Sequence, residues 1–254
     1  MTSVVANGLQ FHVQRLGDGP PLVMLHGLLV GNLATWYFGA APELSRHHSI
    51  MLYDLRGHGR SEFAGTGYDT ATMVADLLAL TSDYQSVPMT LVGHSFGGLV
   101  ALRFALAHPD RVRRLVLVDA PLPCAVDGLA PPTGGDDFGT PEQMIAALPA
   151  PVQALFASDS RQARRLLRAL HRLVVDSSLL ADLRAEPAIS DAELAAYDGA
   201  TSLIYGRDSY CRGDGERLAA HLPGAQLQLL PGGHYLHVDC AGALCDALVE
   251  ACRG

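Results

Sequence analysis

Short apolar runs alternate with helical patterns along most of the chain, in the order that is typical of a parallel sheet. The runs PPLVMLHG, HSIMLYDLRGHG, MTLVGHS and VRRLVLVDAP are compact and end in turn residues, as buried parallel strands do. TATMVADLLALTSDYQ places Met73, Leu77 and Leu80 at helical spacing, and FGGLVALRFALAHP predicts a helix that ends at Pro109. The repeated strand–helix–strand order predicts a mostly parallel sheet with helices on both faces.

Two segments depart from this order. The N-terminal SVVANGLQFHVQRL alternates on either side of Asn7-Gly8, which predicts an antiparallel hairpin. Residues 121–200 begin with the loop-like PLPCAVDGLAPPTGGDDFGTP and continue with helical patterns, after which ATSLIYGRD and AQLQLLPGG resume the strand pattern. We therefore predict an α/β core formed by residues 1–120 and 201–254, with residues 121–200 inserted as a small helical cap.

Composition excludes several classes of function. The formal net charge of −8 gives the 254-residue chain no general attraction to nucleic acid or to an anionic membrane. All 18 basic residues are arginine, and the absence of lysine excludes Schiff-base chemistry and a Walker-type phosphate loop. The five cysteines contain no C-x-x-C pair, so a zinc site or a disulfide framework is not expected. With neither a signal-peptide pattern nor a long apolar run, the sequence predicts a cytoplasmic protein that binds no membrane and no nucleic acid.

The stretch GHSFGG contains the first candidate catalytic residue. Ser95 lies between Gly93 and Gly97, at the point where a predicted strand meets the helix that starts at Phe96. A sharp strand-to-helix turn lifts such a serine above the end of the sheet, and the unpaired N–H groups of the helix point towards it. A plain turn with a capping serine has the same local sequence, so the interpretation depends on suitable partners.

A nucleophilic serine needs a base, and the base needs an orienting carboxylate. In this kind of sheet the order along the chain is serine, acid, histidine. Asp208 follows the strand pattern of ATSLIYG, and His234 lies in the glycine-rich loop after the last strand. Asp119, which follows the RLVLV run, is an alternative acid. We predict Ser95 as nucleophile, Asp208 as acid and His234 as base, whereas His237 is more typical of the first turn of the last helix.

These motifs identify a family resemblance. LHGLL, YDLRGHGRS, GHSFGG, YGRD and GGHYLHVD together resemble the α/β-hydrolase fold superfamily over nearly the whole chain. The resemblance implies a doubly wound, mostly parallel sheet of about eight strands with a helical cap after strand 6. It also implies an oxyanion hole made by the backbone N–H groups of Leu28 and Phe96, structural roles for Asp54 and Arg56, and no metal or organic cofactor. Some members of the superfamily take their acid from the position of Asp119.

Residues that would contact the substrate are predicted more loosely. The candidates are His26, Leu29, Tyr235, Phe138 and Phe156. A second set shares one face of a predicted cap helix: Arg161, Arg165, Arg168 and Arg172. This set is either a solvated face above a leucine seam or a docking site for an anion, such as a substrate carboxylate, coenzyme A or an acidic acyl-carrier protein.

The combined pattern predicts a serine hydrolase that cleaves a hydrophobic carboxylic ester or thioester through an acyl-enzyme. Haloalkane dehalogenases and epoxide hydrolases of the α/β-hydrolase superfamily attack with an aspartate at the strand-to-helix turn that Ser95 occupies here. The serine therefore argues against both activities. The alternatives are a carbon–carbon bond hydrolase, although HGLLVGN departs from the HGGGPG type of loop, and an acyltransferase or cyclase of polyketide-type metabolism. A non-catalytic ligand-binding protein is the alternative of another class.

Overall fold

The computed structural model describes residues 2–123, 140–146 and 148–253, and its strands form an eight-stranded sheet in the order β1-β2-β4-β3-β5-β6-β7-β8. The strands are β1 (Thr2–Ala6), β2 (Leu9–Leu16), β3 (Pro21–Leu25), β4 (Ser49–Tyr53), β5 (Met89–His94), β6 (Val112–Val118), β7 (Thr201–Gly206) and β8 (Gln226–Leu230). The helices are α1 (Ala34–Tyr37), α2 (Ala41–Leu44), α3 (Thr70–Leu80), α4 (Phe96–Ala107), α5 (Pro141–Ala146), α6 (Ala150–Ala157), α7 (Arg161–Val175), α8 (Leu179–Arg184), α9 (Asp191–Ala195), α10 (Arg212–His221), α11 (Leu236–Asp239) and α12 (Ala241–Cys252).

The first two strands form the predicted hairpin. β1 pairs antiparallel with β2, and the turn residues Asn7 and Gly8 have φ angles of 45° and 77°. Positive φ at both central residues is typical of a type I′ turn, which matches the twist of the flanking strands. β2 then pairs antiparallel with β4, and every further pairing from β3 to β8 is parallel. The predicted mostly parallel sheet is thus confirmed.

Helices cover both faces of the sheet because successive strand residues point to opposite sides. Along β3, Val23 packs into the apolar cluster that contains residues of α3 and α4, whereas Met24 packs into the cluster that contains residues of α1, α2 and α12. The central strands are buried throughout, as expected for strands covered on both faces.

The register of the central strands positions the site. His94 at the end of β5 lies beside Val118 at the end of β6, and Val118 lies beside Ile204 of β7. The residues that follow, Ser95 and Asp119, therefore emerge side by side at the carboxyl edge of the sheet. Open α/β sheets bind their ligands at this edge.

Helices α5 to α9 lie between β6 and β7, in the region where the cap is predicted. Two buried or half-buried carboxylates attach this segment to the core. Asp182 accepts a hydrogen bond from the N–H of Tyr68 at 2.8 Å, and Glu186 accepts one from the N–H of Thr70 at 3.1 Å. Glu186 also pairs with Arg103 at 3.4 Å. The end of the segment is therefore fixed on α3 and α4.

Some helices are shorter than their sequence patterns indicate. The segment between β3 and β4 forms two short helices, α1 and α2, and His237 lies in the separate short helix α11 rather than in the last helix. No helix in the described part of the chain combines the length and apolarity that a bilayer span requires.

Candidate active site

Ser95 occupies a strained turn between β5 and α4. Its φ and ψ angles are 54° and −130°, and its N–H donates to the carbonyl of Val118 at 2.9 Å. The flanking glycines allow the backbones to approach closely: a Cβ on Gly93 would lie 2.4 Å from the carbonyl oxygen of Gly97, and a Cβ on Gly97 would lie 2.4 Å from that of His26. The geometry is that of a nucleophile elbow.

His234 joins Ser95 to a carboxylate. Its Nε2 lies 2.8 Å from the Ser95 Oγ, and its Nδ1 lies 2.6 Å from the Oδ2 of Asp119. A carboxylate only accepts hydrogen bonds, so Nδ1 donates to Asp119 and the unprotonated Nε2 accepts from the Ser95 hydroxyl. In this arrangement an imidazole can act as general base towards a serine proton.

Asp119 is held rigidly at the end of β6. It is fully buried with a φ of 48°, its Oδ1 accepts the N–H of Gly206 at 2.8 Å, and its Oδ2 also accepts the hydroxyl of Ser209. Burying a carboxylate is costly unless hydrogen bonds satisfy its oxygens. These two donors and His234 supply those bonds and fix the direction in which the carboxylate points.

The structure does not bring Asp208 to His234. Asp208 is exposed, and its N–H donates to the carbonyl of Gly232 at 3.0 Å. The next residue, Ser209, is buried and donates its hydroxyl to the Asp119 carboxylate. The carboxylate that the structure brings to His234 is therefore Asp119, the alternative that the sequence left open, and not Asp208.

Aromatic side chains surround the His234 imidazole. The ring of Tyr210 lies 4.7 Å from it, and Tyr235 meets it edge-on at 5.1 Å. His94 donates from Nε2 to the backbone carbonyl of His234 at 3.0 Å, and burial holds the pKa of His94 well below its ordinary value. A neutral His94 thus anchors the loop that carries the base. It also lines the cavity at Ser95.

Three potential metal ligands meet beside the base. The ligand atoms of Asp119, Cys211 and His234 lie within 4.8 Å of one another. A tetrahedral zinc site would separate its oxygen and nitrogen ligands by about 3.3 Å, whereas Nδ1 of His234 and Oδ2 of Asp119 are 2.6 Å apart. Burial also raises the pKa of the Cys211 thiol and so disfavours the thiolate that a metal needs. The distances fit a hydrogen-bonded pair rather than a metal centre.

Two backbone N–H groups are available near the Ser95 hydroxyl. No hydrogen bond among the described residues uses the N–H of Leu28 or of Phe96, and Leu28 and Ser95 line the same cavity. Phe96 begins α4, so its N–H has no intrahelical acceptor and carries part of the positive end of the helix dipole. These groups have the character that an oxyanion hole requires.

Two buried histidines hold the loop that carries Leu28. Nε2 of His26 accepts the N–H of Leu55 at 2.9 Å, and Nε2 of His58 accepts the N–H of Leu29 at 3.0 Å. Burial lowers the pKa of His26 and lowers that of His58 to about 3, so both rings remain neutral acceptors. His26 is completely buried and does not line the cavity, which corrects its prediction as a substrate contact.

The acidic and basic residues of YDLRGHGRS hold the neighbouring turn. Asp54 accepts the N–H of Leu33 at 2.7 Å, and Arg56 forms a buried pair with Asp76 at 2.7 Å. These contacts agree with the structural roles expected for Asp54 and Arg56.

A cavity of about 240 Å³, called here the Ser95 cavity, opens at the nucleophile. Tyr235 and Phe156, two of the predicted substrate contacts, line it, whereas Leu29 lines a neighbouring cavity. Phe138 lies outside the described residues. The wall opposite Ser95 comes from α6 and α7 and is largely apolar: Val152, Leu155, Phe156 and Leu166.

The four arginines of α7 have different surroundings. Arg161, Arg165 and Arg168 are all exposed, and Arg165 also lines the neighbouring cavity. The guanidinium of Arg172 lies 4.0 Å from the centre of the Phe63 ring, a cation–π contact. The shared helix face predicted from the sequence is therefore divided between solvent, a cavity and an aromatic ring.

The sequence profile of the alpha/beta hydrolase fold matches residues 20–228. The chain belongs to the α/β-hydrolase fold family. The matched region includes Ser95 and Asp119 and ends before His234, whose contacts with both residues come from the structure.

Curated relatives of this hydrolase-fold chain have different activities in their names. It is 36% identical over 141 residues to a soluble epoxide hydrolase of Corynebacterium sp. (strain C12), a match that covers 55% of this chain and 46% of that protein. It is 35% identical over 169 residues to a pimeloyl-[acyl-carrier protein] methyl ester esterase of Aeromonas hydrophila, covering 61% and 62% of the two chains. The matches thus span about half of the length of these relatives.

A solved structure supports the fold over the full length. A meta-cleavage product hydrolase from Pseudomonas fluorescens IP01 superposes with a TM-score of 0.75 at 21% identity, covering 99% of this chain and 97% of that one. At this identity the likeness establishes the architecture only.

Proposed function

We propose that the protein is a serine hydrolase that cleaves hydrophobic carboxylic esters or thioesters. The observation that carries the proposal is the continuous chain of hydrogen bonds from Ser95 through His234 to the buried Asp119. The family supports hydrolysis in general, and the esterase among the relatives supports an ester substrate. The apolar wall of the Ser95 cavity favours a hydrophobic group beside the scissile bond.

The reaction follows from the positions of the hydrogen-bond donors and acceptors. His234 removes the Ser95 proton through Nε2 as Oγ attacks the carbonyl, and Asp119 stabilises the imidazolium that forms. The N–H groups of Leu28 and Phe96 stabilise the negatively charged oxygen of the tetrahedral intermediate. His234 then protonates the leaving alcohol or thiol, and water releases the acid from the acyl-enzyme by the same steps. The scheme requires no metal and no organic cofactor.

Hydrolysis of p-nitrophenyl esters from acetate to decanoate by the wild type and by Ser95→Ala tests the proposal. We expect a chain-length optimum in the wild type and a loss of kcat of at least about 10⁴-fold in the variant. A fluorophosphonate probe should label Ser95 in the wild type, as mapped by peptide mass spectrometry. Circular dichroism of the variant serves as the control for folding.

Each outcome separates the proposal from its alternatives. Ester turnover that survives Ser95→Ala would refute the assigned nucleophile. Labelling without turnover of these esters or of simple thioesters would favour the carbon–carbon hydrolase. Neither labelling nor turnover would favour a non-catalytic binding protein. Product analysis with added alcohols or amines separates hydrolysis from acyl transfer.

The exposed arginines of α7 support a second part of the proposal, an acyl-carrier protein or coenzyme A as donor of the acyl group. Arg161 and Arg168 form no ion pair among the described residues, on a protein whose net charge is −8. Replacing both with Gln should raise KM for carrier-bound or coenzyme-bound acyl groups and leave simple thioesters unaffected. An equal change in KM for both kinds of substrate would argue against docking.

A further inference from the structure

A second cavity of about 670 Å³ adjoins the Ser95 cavity. It lies between the loop of residues 29–34, the turn of residues 57–60 and one face of α7. The two cavities share lining residues: Val30, Gly31, Asn32, Gln162 and Leu166. A ligand that extends from Ser95 past Val30 and Leu166 therefore enters the second cavity directly.

The sizes of the two cavities indicate that the Ser95 cavity is not the whole binding site. Ligand sites in proteins usually have volumes of about 300 to 1,000 Å³. The Ser95 cavity, at about 240 Å³, falls below this range, whereas the second cavity falls within it. The space near Ser95 suits the ester group and its immediate substituents, and a longer substrate requires the second cavity.

The wall of the second cavity is mainly apolar. Leu29, Leu33, Ala169 and Leu173 contribute aliphatic surface. Phe38, which is 82% exposed, also lines it. These contacts suit a hydrocarbon chain or ring.

The polar groups of the floor already have protein partners. The Oδ1 of Asp54 accepts from Leu33 N–H, and its Oδ2 accepts from His12 at 2.8 Å and from Arg60 N–H at 2.9 Å. The Nε2 of His58 accepts from Leu29. The Asp54 carboxylate is thus hydrogen-bonded on both oxygens by the protein itself.

Arg165 differs from these groups. Its guanidinium has no ion pair or side-chain hydrogen bond among the described residues, although it lines the cavity from α7. The adjacent Arg164 pairs with Asp159 and lines neither cavity. A cation beside an apolar chamber of this size matches a ligand with an apolar body and an anionic end.

We propose that the second cavity binds the distal part of the substrate, an apolar chain or ring whose anionic end pairs with Arg165 while its ester bond lies at Ser95. The inference rests on the proposed hydrolase function and specifies the substrate class: esters or thioesters that carry a remote carboxylate or comparable anion. The anion can be attached to the acyl group or to the leaving group, and both attachments present the same chemistry to Arg165.

The test compares pairs of substrates that differ only in the distal charge. The acyl-side pair is the mono-p-nitrophenyl ester of a long α,ω-dicarboxylic acid and its terminal primary amide. The alcohol-side pair is the acetate ester of a long ω-hydroxy acid and its terminal amide, followed by acid release in a pH-stat. For each pair, the ratio of kcat/KM for the charged substrate to that for the neutral one measures recognition of the anion.

We expect the wild type to prefer the charged member of one pair, and Arg165→Gln to reduce that ratio by about two- to fivefold, as for a solvated ion pair. Arg165→Lys should restore part of the preference because it restores the charge. Arg164→Gln removes the same charge from the next position of the same helix, outside both cavities, and should leave the ratio unchanged.

The outcomes are separable from those of the proposed function. Hydrolysis of short p-nitrophenyl esters with labelling of Ser95 tests the function without involving the second cavity. If that activity is present and the wild type shows no charge preference in either pair, the inference is overturned. An equal fall of the ratio in Arg164→Gln and Arg165→Gln would also overturn it, because it would indicate a general effect of helix charge.

Discussion

The exchange of Asp119 for Asn tests the placement of the acid most directly. The Asp119 carboxylate accepts from His234, Gly206 and Ser209. If the Asn oxygen keeps the bond to Gly206, its NH₂ group faces Nδ1 of His234 and cannot accept from it. The imidazole must then carry its proton on Nε2, where it can no longer remove the proton of Ser95.

The size of the loss follows from the missing charge. When His234 becomes an imidazolium, a carboxylate about 3 to 4 Å away stabilises it by about 4 to 6 kcal/mol at an effective dielectric constant of about 20. Each 1.36 kcal/mol corresponds to about tenfold in rate. We therefore expect Asp119→Asn to lower kcat by about 10³- to 10⁴-fold. The same exchange in serine proteases costs about 10⁴-fold.

The assay is kcat for the best p-nitrophenyl ester, with Asp208→Asn as the matched control. Asp208 is exposed and lies on the neighbouring strand end, so its exchange should change kcat by less than about twofold. Thermal unfolding of both variants separates loss of chemistry from loss of fold. A larger loss in Asp208→Asn than in Asp119→Asn would refute the reasoning, and so would near-normal kcat in a folded Asp119→Asn.

Two further variants test the supports of the site. In a urea titration, Gly97→Ala should lower the free energy of unfolding by at least about 2 kcal/mol, because the new Cβ would lie 2.4 Å from the carbonyl oxygen of His26 in packed backbone. The control is Gly213→Ala in α10, where a Cβ meets nothing within 4 Å, and it should be neutral or stabilising. Burial lowers the pKa of His58 to about 3, so between pH 6.5 and 3 the unfolded chain binds a proton that the native state does not, and stability falls on acidification by up to about 1.4 kcal/mol per pH unit for this group. His58→Gln should lower the urea midpoint of unfolding at pH 7, and the midpoint of the variant should fall less steeply than that of the wild type between pH 7 and pH 4. An equal pH dependence of the two midpoints would contradict a neutral buried His58.

Much of the fold was predictable because its signals are local. The Asn7-Gly8 turn, the apolar runs of the parallel strands and the glycines around Ser95 each specify a backbone conformation within a few residues. The candidate base could be found in the same way, since His234 lies in a glycine-rich loop after the last strand. The 2.8 Å contact between their side chains confirms that Ser95 and His234 are neighbours.

The acid could not be settled from the sequence, because two aspartates follow two adjacent strands. The direction of each side chain decides between them, and it depends on long-range pairing: Asp119 is turned inwards with a positive φ, whereas the N–H of Asp208 bonds to Gly232. The second cavity was also hidden, since its walls come from segments far apart in the chain, such as Leu29 and Ala169. The supporting residue Ser209 gave no signal beyond its position next to Asp208.

The arrangement of the strands has a consequence for how activity is lost on heating. Ser95 and Asp119 follow the adjacent strands β5 and β6 in the middle of the sheet, whereas His234 follows β8, which is hydrogen-bonded on one side only and has a half-exposed pattern. Elements at the border of a sheet open at a lower free energy than the centre. Detachment of β8 would withdraw the base while the nucleophile and the acid stay in register. On heating, we therefore expect activity to be lost at the temperature at which the amides of β8 begin to exchange, below the temperature at which the whole chain unfolds.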